Sequence, residues 1–176
     1  MPLHEDQYIV KGPTLDVGTI LLPIFAKLRA MSEPFAIDGA TGRIRFPDLR
    51  LELCPGMPEV EFVRASSGLN RDNLGANDGW QRYSVRELVS GERRLGLFVV
   101  FLNGVLVKAS IAYGPKDETW ANWSQQTHTA RRNEYQQALE AQLGGKNGFP
   151  WGKADVIEDS KGGGTDIWID YGESPA

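Results

Sequence analysis

Cys54, His4 and His128 are the chain's only thiol and imidazoles, and they lie far apart in the sequence. Cysteine nucleophilic catalysis needs a thiol beside an imidazole. Cys54, however, closes the alternation Leu49, Leu51, Leu53, where a small buried thiol is the ordinary occupant. No G-x-S-x-G elbow is present for a serine nucleophile. Zinc would need carboxylates to complete a ligand set, and none is spaced to such a pattern. The stretch from Asp72 to Gly79 lacks the alternating acids and closing glutamate of a calcium loop. Gly162-Gly163-Gly164 joins two strand patterns, so the helix N-terminus that would hold a phosphate is missing. The residues therefore predict a non-enzymatic chain with no metal and no cofactor.

What remains is chemistry of recognition. From Lys153 onward the chain carries six of its 23 acidic residues but only two of its 19 basic ones, so the formal charge of −4 originates there and favours a basic partner. Alternation along the last strand puts Asp166, Trp168 and Asp170 opposite Ile167, Ile169 and Tyr171. An aromatic between two acids, facing away from the core, suits a protein interface. With Asp155 and Asp159 these residues form the first candidate site. A second reading gathers Trp120, Trp123, Trp151 and His128 into a pocket between a long helix and the sheet, for a sugar or another small molecule. A third is a structural accessory subunit docking through a flat apolar sheet face. Nucleic acid is disfavoured, because Arg82, Arg86, Arg93 and Arg94 are interleaved with Glu87 and Glu92 and read as a solvated strand edge.

These residues must be held by elements that the sequence outlines. In Arg93 to Tyr113 two apolar runs flank Asn103-Gly104, which predicts a β-hairpin with a two-residue turn. The expected register pairs Leu102 with Val105, Val100 with Val107, Phe98 with Ala109 and Gly96 with Ile111, giving one apolar face. Trp80 to Leu88 predicts a preceding strand with Tyr83 and Val85 on one side. The stretch between Ser66 and Gly79 reads as a long polar loop. Phe35–Asp38 and Arg43–Phe46 predict a further hairpin, Leu49 to Leu53 a strand, and Pro58 the opening of a short helix closed by Gly68. From about 118 to 143 no proline or glycine intervenes, Asp117 offers an N-cap and Gly144-Gly145 a stop, which predicts one long helix. Its narrow apolar stripe holds Tyr135, Ala138, Leu139 and Leu143.

The sum is an α+β fold: a single antiparallel sheet of five to eight strands with the long helix packed on it and one or two short helices from the N-terminal half. One domain over 1–176 is expected, with residues 1–13 as a loosely ordered tail and a helix near Pro23 to Met31. The first ten residues lack a basic and then apolar leader, and the longest near-apolar run, Gly18 to Ala26, is too short to span a bilayer. A cytoplasmic chain is the expectation, with no membrane contact.

The C-terminal stretch FPWGKADVIEDSKGGGTDIWIDY, the strand ending in LCPGM and the FLNGVLVKASI hairpin resemble small bacterial proteins, some of them immunity proteins of toxin–immunity pairs. The resemblance covers about two-thirds of the chain and rests on turns and core residues. It implies a cytoplasmic protein that binds and neutralises a cognate toxin.

Overall fold

A computed structural model describes residues 33–118, 124–158 and 164–172. The expected tail and helix before residue 33, and with them Trp120, Trp123 and Asp159, lie outside the described residues. The architecture is α+β.

Strands β1 (Ala36–Ile37), β2 (Ile44–Phe46) and β3 (Leu51–Leu53) form a three-stranded antiparallel sheet of their own, with a 3₁₀ turn at Pro47–Leu49. Helix α1 (Glu59–Ala65) follows, with Pro58 as its N-cap and Ser66, rather than Gly68, as its C-cap. Strands β4 (Arg71–Asn77), β5 (Trp80–Ser90), β6 (Arg93–Leu102) and β7 (Val105–Pro115) then run as an antiparallel meander. Helix α2 (Gln125–Leu143) crosses to β8 (Gly148–Phe149), β9 (Gly152–Glu158) and β10 (Thr165–Asp170). The main sheet has seven strands in the order β4-β5-β6-β7-β10-β9-β8.

Two expectations are corrected here. There are two sheets instead of one: β4 and β8 occupy the edges of the larger sheet, and β1–β3 pack by their apolar side against its face. The polar stretch between Ser66 and Gly79 also contains a strand, β4, which is held by backbone pairing to β5 and leaves nearly all its side chains wet.

The central hairpin turns at Asn103 (φ 51°) and Gly104 (φ 80°), the left-handed pair that a type I′ turn requires, and Leu102 faces Val105 as the spacing predicts. One residue later a bulge intervenes. Phe101 faces Leu106, Val100 faces Lys108, and Val107 is left over. Beyond the bulge the expected register is wrong by one residue, and the fully apolar face it predicts does not form. The slip lets the large residues Leu95, Leu97, Val99 and Phe101 meet Ala109, Ile111 and Tyr113, all buried, while Lys108 and Ser110 turn to the other side with Phe98 and Val100.

One face of the main sheet is covered. Phe62 of α1 packs on Tyr83 and Phe101, and Phe35 meets Tyr113 edge-on. Tyr135, Leu139 and Leu143 of α2 join the same core as Ile167 and Ile169. Each large ring withdrawn from water contributes about 2–3 kcal/mol. The helix begins with Ser124 as N-cap, not Asp117: its side chain accepts from the Thr127 amide while Thr127 returns the bond, and Gly144 closes the other end. Two of its polar side chains anchor it: the Tyr135 hydroxyl accepts from the Tyr113 amide at 2.5 Å and donates to the Tyr113 carbonyl at 2.6 Å, and Gln142 accepts from the Ile37 amide at 2.6 Å.

Candidate functional site: the outer sheet face and the cavity at its end

Strand β10 is two-sided because its sequence alternates. Ile167 and Ile169 are fully buried, and Asp166, Trp168 and Asp170 are half-buried on the opposite side. Register then builds rows across the sheet. Trp168 lies between Asp155 of β9 and Ser110 of β7, and Ser110 in turn faces Phe98 of β6. Asp170 lies between Lys153 and Lys108, with its carboxylate 3.7 Å from the Lys108 ammonium. Asp166 accepts a hydrogen bond of 2.7 Å from the Ser110 hydroxyl. Ile157, 44% exposed, faces Asp166. Four of the five residues in the first candidate site thus share one face with Phe98 and the buried Val100 and Ser110. Counting charge along the chain includes Lys153 but not Lys108, and places neither opposite Asp170, because they come there only through pairing. Among the described residues the acids of this stretch without a basic partner are therefore Asp155 and Asp166.

Of the second candidate set, Trp151 and His128 lie among the described residues. Trp151 sits in the tight connection between β8 and β9, stacked on Phe149 at 4.8 Å and edge-on to Tyr171, with its indole N–H donating to the Gly39 carbonyl at 2.9 Å. It seals the last small hairpin onto the β1–β2 turn and is not among the residues that line the cavity beside His128. The His128 imidazole is engaged on both sides: Nε2 is 2.8 Å from the Thr165 hydroxyl, and Nδ1 is 3.8 Å from Glu158, which also pairs with Arg132.

His128 does line a cavity, of about 650 Å³, between the first turns of α2 and the end of the main sheet. Its floor is made by small residues: Gly96 faces Ala112 and Arg94 faces Gly114 across β6 and β7. A Cβ placed on Gly96 would meet nothing within 4 Å, whereas one on Gly114 would lie 2.5 Å from the Glu118 carboxylate and 2.9 Å from the Arg131 guanidinium. Gly114 is thus what lets that ion pair lie against the strand. A second bulge, between Val85 and Leu88 of β5, turns both Arg86 and Glu87 outward at the rim. No pattern of apolar residues announces such a hollow, since it is built from side chains that are not there.

Burial pushes the Cys54 thiol above its usual range, the opposite of what a nucleophile needs. Among the described residues no group of three or more His, Cys, Asp or Glu is placed to hold a metal ion. Among them, too, no helix is long and apolar enough to cross a membrane. No family model matches the chain, and no curated protein or solved structure proves similar to it.

Proposed function

We propose that the chain is a non-enzymatic binding protein of the immunity or antitoxin kind, which occludes a basic cognate toxin with the outer face of its seven-stranded sheet. The observation that carries this reading is Trp168, half-buried between Asp155 and Ser110 on the face opposite Ile167 and Ile169, with Asp166 at its side. A partly buried aromatic on a rigid strand loses little side-chain freedom on docking and makes an efficient anchor. Asp155 and Asp166 lie beside it without a basic residue directly opposite, so they steer a positively charged surface toward it. Asp170, already facing Lys108 and Lys153, contributes less. Inhibition by occlusion needs no chemistry from this chain, only a fit that covers the partner's own site.

The test begins with the product of the neighbouring reading frame, purified and titrated calorimetrically with this protein. Trp168→Ala is expected to weaken binding about thirtyfold, or about 2 kcal/mol. Asp166→Lys is expected to slow association at low salt, with the difference shrinking as ionic strength rises. Co-expression should protect the host from that product with the wild-type chain and not with the double variant. Binding by both variants at wild-type strength would remove the outer face from consideration.

A further inference from the structure

We infer that the cavity between α2 and the Arg94–Gly114 end of the sheet is a binding site for a small amphipathic anion. An apolar, flat body would lie on Gly96 and Ala112, and a carboxylate or phosphate would meet Arg94. The inference stands apart from partner binding through Trp168. The volume of about 650 Å³ is that of a small-molecule site, and its floor is mostly apolar.

The polar groups of the rim decide the ligand's charge. Arg131 is held by Glu118 at 2.7 Å and Glu134 at 3.1 Å. Arg86 is paired with Asp72. The rim acids are committed as well: Glu118 to Arg131, and Glu87 as acceptor from the Asn70 side chain at 3.0 Å. Among the described residues Arg94 alone of the three rim arginines has no ion pair or hydrogen bond through its side chain. Its guanidinium presents the fork that binds carboxylate or phosphate through two donors. A cationic ligand would meet three arginines and find both glutamates occupied.

The probe is anilinonaphthalene sulfonate, an aromatic anion of suitable size, with N-phenyl-naphthylamine as its uncharged counterpart. The full-length folded protein should bind one equivalent of the sulfonate and bind the uncharged compound at least about tenfold more weakly. Gly96→Leu directs a side chain into open space and should abolish binding of both, with an unchanged cooperative unfolding transition. If that variant does not fold, Ala112→Leu fills the same hollow from the neighbouring strand. Arg94→Ala should weaken the sulfonate about three- to tenfold, the exposed head being partly screened, and leave the uncharged compound unaffected. Trp168→Ala should change neither. Equal binding of the two probes, several equivalents of sulfonate, or undiminished binding to the filled variants would overturn the inference.

Discussion

Tyr135 is the residue on which the docking of the long helix turns. Its hydroxyl completes both backbone groups of Tyr113, at a point where β10 has not yet begun its pairing with β7. A buried amide and carbonyl would otherwise be left unpaired, each at a cost of about 1–3 kcal/mol. Tyr135→Phe keeps the ring stacked on Tyr113 and removes only the oxygen. It is expected to lower the unfolding free energy by about 2–3 kcal/mol in urea denaturation, with little change in the denaturant slope. Gly42 shows the same dependence on a single atom, since its φ of 71° and the Trp151 ring 2.6 Å from where a Cβ would stand leave room for glycine alone.

At the scale of elements, signals confined to a few adjacent residues were legible and those made by pairing were not. Asn103-Gly104 announced its hairpin, the alternation from Asp166 to Tyr171 announced which side chains face out, and the break-free stretch ending at Gly144 announced the helix. The bulge at Val107 leaves no mark, because a valine reads equally well on either face, and that one residue exchanges the two faces over the rest of β7. Strand β4 was hidden by Asp, Asn and Gly, which disfavour strands and are tolerated here at an edge. The cavity leaves no sequence signal because its floor is glycine and alanine. The helix starts at Ser124 and not at Asp117, and this cap can be tested. Ser124→Ala breaks the reciprocal bonds with Thr127 and is expected to cost about 1 kcal/mol of stability by chemical denaturation, while Thr129→Ala, one turn on, should cost less.

For the molecule as a whole, four tyrosines set the alkaline limit of stability. Burial, then the hydrogen bond Tyr83 donates to Glu59, raises the Tyr83 phenol to about 12. Burial also pushes Tyr113, Tyr135 and Tyr171 upward. Because the fold holds the neutral phenols, while an unfolded tyrosine ionises near about pH 10, this stability is complete below that value and lost as pH climbs through it toward 12 and beyond. Phenolate absorbance is expected to rise together with loss of far-ultraviolet circular dichroism; ionisation of all five tyrosines near pH 10 with the fold intact would contradict it. On the acid side, Glu52 beside Arg45 and Arg43, and Asp38 bound by the Ala40 and Thr41 amides, are held below their usual range. Their contributions fade as pH falls below about 4, and weakly, since both are exposed. The order of strands carries one more consequence. β4 to β7 form by closing short loops between neighbours, but β10 reaches β7 only after an excursion, with Asp166 and Ser110 56 positions apart. Contacts of such separation are entropically late to form during folding. Trp168 and its acids therefore reach their neighbours only when the meander already stands, so a stalled or truncated chain would present a sheet without a recognition surface, and ability to bind would itself certify completed folding.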